Sequence, residues 1–152
     1  MSEVLIRKTN FFDIEFLWYL RNRPDVYKYS RNTRPVSWKE HIDFILPVVM
    51  GMTNKELFII EKDKKPAGQI RFDYKKGKEA EISISLLREF RGRGMAQIAF
   101  KKAIALLKKN KKAKTILAQV HEKNKSSLKF FKKLGFKKKK KNGIWFEYFL
   151  RL

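Results

Sequence analysis

The chain of 152 residues is long enough for one domain, and its 43% apolar content, with 13 Phe, 3 Trp and 5 Tyr, can fill a sizeable core. No segment approaches the ~20 uninterrupted apolar residues of a membrane helix, and the N-terminus lacks the layout of a signal peptide, so we expect a cytoplasmic protein without a membrane partner. The absence of cysteine excludes disulfides, a thiolate nucleophile and Cys-ligated zinc, and His41 and His121 lie too far apart in sequence to indicate a metal site.

The net charge of +22 is unevenly distributed. Residues 1–76 contain 15 basic and 10 acidic side chains, whereas residues 77–152 contain 22 and 5. The excess of positive charge in the second half favours an anionic partner: the phosphates of a nucleotide cofactor, a nucleotide-linked substrate, RNA or an acidic protein. The alternative is a lysine-rich surface whose only role is to be solvated.

The first half of the chain predicts a strand and two helices, followed by a three-stranded antiparallel meander. Asn10 is expected to cap the first helix and the capping box Ser37-x-x-Glu40 the second, which we expect to end near Pro47. A loop is expected around residues 24–35. The predicted strands span residues 4–8, 56–63, 67–74 and 79–86, and the predicted helices span residues 10–22 and 37–47.

The second half predicts a helix from about Gly94 to Lys109, a buried strand at 115–120 and a helix at 126–134 that Gly135 ends. The last two strands, FKKKKK and IWFEYFL, flank Asn142-Gly143, the strongest hairpin signal in the sequence. The predicted element order is β-α-α-β-β-β-α-β-α-β-β.

The stretch RGRGMA, residues 91–96, lies between a predicted strand and a predicted helix. Unpaired amides at a helix N-terminus bind anions, and glycines let an anion approach them closely. Arg91 and Arg93 would add charge-assisted hydrogen bonds to the same anion. The stretch lacks the Gly-Lys-Ser/Thr ending of a P-loop and the third glycine of a dinucleotide fingerprint. It therefore predicts an anion site, or else a plain glycine-rich turn.

The pattern Arg91-x-x-Gly94-x-Ala96 after a strand resembles the Arg/Gln-x-x-Gly-x-Gly/Ala signature of the GNAT acetyltransferase superfamily. A second segment, NKSSLKFFKKLGF at residues 124–136, resembles that superfamily's N-x-x-A/S-x-x-L/F-Y-x-K-x-G-F segment, and the element order agrees as well. The resemblance implies a single α+β domain of GNAT type over residues 1–152, with a mixed, mostly antiparallel sheet and helices on both faces. It also implies direct transfer of acetyl from acetyl-CoA to a primary amine in a ternary complex, without a metal.

The residues that the resemblance implies as cofactor contacts lie on a strand end, on the glycine turn and on the following helix. In this family the turn wraps the pyrophosphate of acetyl-CoA, and strand amides hold the acetyl oxygen and the pantetheine where the sheet splays. The expected contacts are Leu86, Leu87, Arg91, Gly92, Arg93, Gly94, Met95, Ala96, Asn124, Ser127 and Phe131. Asn124 is equally suited to cap its own helix.

The catalytic acid and base are less well indicated. Phe131 occupies the position where the family usually has a tyrosine acid. The proton donor is therefore a water, another side chain such as Tyr148 or His121, or the acceptor amine itself. We expect Phe131→Tyr to be tolerated. Glu81 is the first candidate for the base and His121 the second, since both are expected near the cofactor cleft. Either residue is alternatively a surface side chain at a strand end.

The segments 18–26 and 29–45 resemble the W-R-N…S…N…H segment of bacterial GNAT enzymes that acetylate nucleotide-linked amino sugars. Ribosomal-protein N-terminal acetyltransferases share a looser version, and a polyamine or antibiotic amine is a third acceptor class. A non-catalytic or RNA-binding module is also retained, although the lysine run 137–141 has no interleaved aromatics and nucleic acid is not the expected partner. The sequence leaves a homodimer open. Candidate acceptor contacts are Arg21, Asn22, Ser30, Asn32 and His41.

Overall fold

The computed structural model describes residues 3–152, and within them seven strands form one sheet in the order β1-β2-β3-β4-β5-β7-β6. All neighbouring strands are antiparallel except β4 and β5, which are parallel. The strands are β1 (Val4–Lys8), β2 (Lys55–Lys62), β3 (Lys65–Lys75), β4 (Glu79–Leu86), β5 (Thr115–His121), β6 (Lys137–Asn142) and β7 (Trp145–Arg151).

Helices cover both faces of the sheet, which confirms the predicted α+β fold class. The main core lies under α4 and α5, and a smaller core lies between α1, α3 and the strand β2. In the described part of the chain no helix is long and apolar enough to span a membrane. The helices are α1 (Ile14–Arg21), α2 (Pro24–Tyr27), α3 (Trp38–Val49), α4 (Met95–Lys109) and α5 (Lys125–Lys133).

In helix α3 one local prediction, the capping box, is confirmed and another, the position of the helix end, is wrong. The predicted capping box forms: Ser37 Oγ accepts from the Glu40 N–H at 3.1 Å, and the Glu40 carboxylate accepts from the Ser37 N–H at 3.2 Å. The prediction that the helix ends near Pro47 is wrong, because α3 runs through Pro47 to Val49. Proline at this position leaves only the carbonyl of Asp43 without its helical donor, and Asp43 is exposed, so water can serve that carbonyl.

Two other local predictions differ from the structure. Asn10 caps a short 3₁₀ turn (Phe11–Asp13) rather than α1 itself, with its Oδ1 accepting from the Phe12 N–H at 2.9 Å. The predicted loop around residues 24–35 begins with the one-turn helix α2, for which Pro24 at the first helical position is well suited. The remaining residues 28–37 form the α2–α3 loop.

The sheet opens between its two parallel strands. They pair only over Glu79–Glu81 and Thr115–Leu117, although β4 continues to Leu86 and β5 to His121. Beyond Glu81 the two strands therefore separate, and we call this opening the strand gap. Its β4 side is held by β3, which pairs with β4 along the whole length from Glu79 to Leu86.

Gly68 on β3 allows the close approach that positions the end of β4. It pairs with Leu86, and a Cβ atom at this position would overlap the carbonyl oxygen of Ser85. Because a backbone atom cannot yield as a side chain does, we expect Gly68→Ala to lower the free energy of unfolding by about 1–3 kcal/mol. Urea denaturation monitored by circular dichroism measures this change. A variant as stable as the wild type would show that β4 can shift freely.

Candidate active site

The glycine turn, residues 91–96, presents an open backbone surface. Gly92 and Gly94 have φ of 76° and 75°, and in the described part of the chain no heavy atom lies within 4 Å of a Cβ built on either residue. No side chain caps α4, and its first helical bond runs from the Ile98 N–H to the Gly94 carbonyl at 3.2 Å. The amides of Met95, Ala96 and the following residue are thus left without helical acceptors, which makes the turn suited to an anion.

The two arginines of this turn have different surroundings. Arg91 donates from Nε and Nη2 to the carbonyl oxygen of Leu86, at 3.1 and 2.9 Å. Its Nη2 also lies 2.7 Å from Oδ2 of Asp25 in α2. Arg93 is exposed. Arg91 therefore ties the turn to the end of β4 and to α2, and Arg93 is the arginine whose side chain is free to reach a ligand.

The end of β4 offers one strand amide to the strand gap. The Leu87 N–H donates to the carbonyl of Ala67 on β3 at 2.8 Å, so it is not available to a ligand. Successive residues of a strand direct their N–H groups to opposite sides, so the Leu86 N–H faces the gap. The Leu86 amide thus faces the gap, where its predicted contact with the cofactor stays a prediction, and the Leu87 amide has a structural partner in β3.

The helix α5 begins beside the strand gap. Asn124 accepts from the Ser127 N–H through Oδ1 at 3.2 Å, which is the N-cap contact. Phe131 is only 5% exposed, and its ring packs edge-on against Phe130 and Phe136 with centroids 5.2 and 5.0 Å apart. Phe131 therefore belongs to the core on the α4 and α5 side of the sheet.

Among the acid and base candidates, Glu81 and His121 share a sheet face and Tyr148 does not. Glu81 is the last β4 residue paired with β5, so it lies where the strand gap begins, with Lys75 Nζ 3.2 Å from its carboxylate. Tyr148 is buried in the main core on the opposite face. That burial follows from the period-two alternation of β7, which turns Tyr148 toward α4 and α5.

His121 is arranged as a hydrogen-bond donor. Its Nδ1 accepts from the Lys123 N–H at 3.0 Å. A neutral imidazole has one acceptor nitrogen, so this contact leaves the proton on Nε2. In this tautomer the ring can donate a hydrogen bond from Nε2 but cannot accept a proton there.

The α2–α3 loop lies over the ends of β5 and β7. The Tyr29 ring is 5.2 Å from that of His121, and the Trp145 ring is 5.4 Å from His121 on its other side. The guanidinium of Arg31 lies 4.9 Å from the Trp145 ring centroid. The structure thus brings the predicted acceptor segment and His121 together.

Three of the predicted acceptor contacts hold this loop in place. Asn22 donates to the Val36 carbonyl at 3.0 Å and accepts from the Val36 N–H at 2.9 Å. Ser30 Oγ contacts the carbonyls of Tyr27 and Asn32, both at 2.8 Å. Asn32 also receives Arg21 Nη2 at its carbonyl, at 3.1 Å. These contacts define the shape of the acceptor side.

Arg21 and His41 differ in what they offer a ligand. Arg21 Nη1 is buried and has no hydrogen-bond partner among the described residues. Burial lowers the pKa of the Arg21 guanidinium from its ordinary value. His41 is 5% exposed, and its Nε2 lies 2.8 Å from the Ile14 carbonyl. His41 therefore joins α3 to α1 inside the smaller core, whereas Arg21 retains an unused donor.

Comparison with known proteins assigns the chain to a family. The family model described as an acetyltransferase (GNAT) domain matches residues 3–137. The chain belongs to the GNAT acetyltransferase family.

One curated relative and two solved structures are similar to this chain. Acetyltransferase PseH of Campylobacter jejuni subsp. jejuni serotype O:23/36 (strain 81-176) is 26% identical over 124 residues, which are 82% of this chain and 76% of PseH. A domain from Methanocaldococcus jannaschii DSM 2661 superposes with a TM-score of 0.87 and 26% identity over 100% of both chains. The spermidine N-acetyltransferase from Vibrio cholerae, solved in complex with CoA and spermine, superposes with a TM-score of 0.85 and 16% identity, covering 97% of this chain and 95% of its own.

As a GNAT enzyme the protein is an acetyl-CoA-dependent N-acetyltransferase. Acetyl-CoA supplies the acetyl group as a thioester. The residues fit this co-substrate, because the glycine turn leaves space and free amides for a diphosphate and the strand gap leaves the β4 edge unpaired. Residues 3–152 contain no cluster of three or more His, Cys, Asp or Glu side chains that could hold a metal ion.

The sequence analysis did not identify two buried polar residues, Gln69 and Glu147. Both lie on the face of the sheet that carries Glu81 and His121. Gln69 donates to Ser85 Oγ at 3.0 Å, while its Oε1 is buried and has no hydrogen-bond partner within residues 3–152. Glu147 is buried opposite Gln119 of β5. The alternation Trp145, Glu147 and Phe149 after the Asn142-Gly143 turn could have indicated that these three share a face. It could not have indicated which strand they pair with.

The core position of Phe131 gives a testable expectation. In Phe131→Tyr, the added hydroxyl would enter a packed aromatic cluster without a partner, which costs about 1–3 kcal/mol. In place of the tolerance expected from the sequence, the packing of Phe131 leads us to expect a lower melting temperature and no gain in kcat, measured by thermal unfolding and by release of CoA thiol. An increase in kcat at unchanged stability would show instead that the hydroxyl reaches the strand gap.

The burial of His41 predicts a pH dependence of stability. Burial lowers the pKa of His41 below its ordinary value of 6.5, although the Ile14 carbonyl opposes this effect. The unfolded chain then binds the proton more readily than the folded chain, so this stability is present above pH 6.5 and is lost as the pH falls below it. Urea denaturation at about pH 7.5 and 5.5 should show the loss, and His41→Gln should reduce it. An unchanged pH slope in that variant would contradict the assignment.

Proposed function

We propose that the acceptor is the primary amine of a nucleotide-linked amino sugar. The observation that carries this proposal is Arg21, whose Nη2 donates to the Asn32 carbonyl of the α2–α3 loop and whose buried Nη1 has no hydrogen-bond partner among the described residues. A buried guanidinium N–H without an acceptor is costly unless a ligand supplies one. Arginine is especially suited to phosphate oxygens, which it can bind with two parallel hydrogen bonds.

The charge of the surrounding segment supports an anionic acceptor. Residues 23–36 contain four basic side chains and one acidic side chain, Asp25, which already pairs with Arg91. Arg31 and Arg34 are exposed there. A substrate with a diphosphate would be attracted by this field and held by it, whereas a polycationic amine would be repelled. The segment thus favours a nucleotide sugar over a polyamine.

We further propose roles for the site residues. The amides of the glycine turn and Arg93 bind the CoA diphosphate, and the Leu86 N–H binds the acetyl oxygen. A preorganised backbone donor of this kind is worth about 3 kcal/mol at the transition state. Glu81 accepts the proton of the acceptor amine, directly or through water. His121 Nε2–H is placed to donate a hydrogen bond to the leaving thiolate, because its Nδ1 already accepts from Lys123, and the C–S bond breaks to release CoA as the thiolate.

A thiol-release assay over a panel of amines tests the acceptor class. The panel contains UDP-linked amino sugars, the same amino sugars without the nucleotide, Ser- and Ala-starting peptides, and spermidine. We expect the highest kcat/KM for a UDP-linked amino sugar, and a loss of at least about tenfold when the nucleotide is removed, since charge-assisted hydrogen bonds are lost.

Two results distinguish a nucleotide-sugar acceptor from the alternative, an N-terminal peptide acceptor. Arg21→Lys keeps the charge but loses the planar fork, so its KM for the nucleotide sugar should rise while its KM for acetyl-CoA stays constant. Turnover of Ser- or Ala-starting peptides without turnover of any nucleotide sugar would overturn the proposal in favour of an N-terminal peptide acceptor.

A further inference from the structure

We propose that Glu147 binds the ammonium group of the acceptor, an inference that rests on the proposed transfer to a primary amine. Glu147 is 7% exposed, and its Oε2 is buried without a hydrogen-bond partner among the described residues. Nζ of Lys140 forms an ion pair with Oε2 at 3.6 Å, a separation longer than a hydrogen bond.

The position of Glu147 connects it to the acceptor side. It pairs with Gln119 of β5, and the next residue on the same face of β7, Trp145, pairs with His121. Alternate residues of a strand lie about 7 Å apart along one face, so Glu147 is one step deeper in the sheet than Trp145. Tyr29 and Arg31 of the α2–α3 loop cover the ring pair of His121 and Trp145 on this face. Glu147 therefore lies beneath the acceptor loop.

The energetics require an additional donor at this position. A buried carboxylate oxygen without a donor is unfavourable, and the cost is greatest where the group is charged. The side chain of Lys140 is 60% exposed, so it is free to leave when a stronger donor arrives. A primary ammonium has three N–H donors and the opposite charge, which makes it a suitable partner for the carboxylate.

The alternative is that Glu147 serves only the fold, as the partner of Lys140 on the edge strand β6. The two explanations predict different effects on acceptor binding when the side chain of Lys140 is removed. If the pair is structural, removing either member should have the same consequence. If Glu147 binds the acceptor, removing Lys140 leaves the carboxylate more available, and only removal of Glu147 weakens acceptor binding.

Steady-state kinetics of Glu147→Gln and Lys140→Gln distinguish these explanations. Glutamine has the shape of glutamate without its charge, and the Lys140 side chain is 60% exposed, so thermal unfolding should show that both variants fold. We expect Glu147→Gln to raise the acceptor KM roughly 10- to 100-fold, with the KM for acetyl-CoA unchanged. Lys140→Gln should have an acceptor KM no higher than the wild type. An unchanged acceptor KM in Glu147→Gln, or the same increase in both variants, would overturn the proposal.

A second measurement does not depend on the identity of the acceptor. Titration of the CoA-bound protein with n-butylammonium chloride, followed by amide NMR, should give saturable shifts at Gln119 and Trp145 in the wild type and none in Glu147→Gln. Shifts that persist in the variant, or that are absent from the wild type, would overturn the ammonium site. Failure of every nucleotide sugar as a substrate would overturn only the proposed acceptor, because this titration would still report on Glu147.

Discussion

Gly94→Val should abolish measurable acetyl-CoA binding in a protein that remains folded. The valine side chain would project into the open space in front of the glycine turn, where the free amides of α4 begin. We expect the Kd for acetyl-CoA to rise by about 100-fold or more, since the diphosphate would lose several charge-assisted hydrogen bonds at once. Isothermal titration calorimetry with CoA measures this change.

A matched control variant must replace a glycine of the same left-handed conformation that lies outside the proposed diphosphate site. Gly77 provides it, because its φ of 73° matches the 75° of Gly94 and no heavy atom lies within 4 Å of its Cβ position either. It lies in the turn before β4, at the paired end of the two parallel strands. A left-handed conformation costs a residue with a Cβ about 1–2 kcal/mol, so both variants should lose similar stability. Only Gly94→Val should lose CoA affinity; equal affinities in the two variants would place the diphosphate elsewhere.

The parts of the fold that the sequence predicted are those specified by neighbouring residues. The Ser37-x-x-Glu40 box, the Asn142-Gly143 turn and the glycine turn each contain their own hydrogen-bonding or conformational requirement. Hydrophobic alternation then located the strands to within about two residues. The end of α3 was wrong because the effect of Pro47 depends on whether the carbonyl of Asp43 faces solvent, which is a property of the tertiary structure.

The candidate site was harder to predict because its geometry depends on partners distant in sequence. The family resemblance pointed to Leu86 and Leu87 together, yet only pairing with Ala67 of β3 shows that the Leu87 amide is occupied. In the same way, the contact with Asp25 gives Arg91 a structural role that the RGRGMA pattern does not indicate. Glu147 was missed because its burial results from pairing with β5, twenty-eight residues away along the chain.

The kinetic role of Glu81 can be separated from that of Glu147. Glu81→Gln should lower kcat by about 100-fold or more, because a base that removes the proton of the acceptor amine contributes to the chemical step. The KM values for both substrates should change little, in contrast to the acceptor KM effect expected for Glu147→Gln. Steady-state thiol release measures kcat and the two KM values, and pre-steady-state thiol release isolates the chemical step.

Glu79→Gln is the matched control for Glu81→Gln. Both glutamates lie on the same face of β4, but Glu79 is paired with Thr115 at the closed end, whereas Glu81 lies at the start of the strand gap. If position at the gap decides the role, Glu79→Gln should retain nearly the wild-type kcat. Equal losses in the two variants would mean that general surface charge, rather than a base, is responsible. A normal kcat in Glu81→Gln would indicate that the buried carboxylate of Glu147 is the base instead, since His121 presents a donor rather than an acceptor.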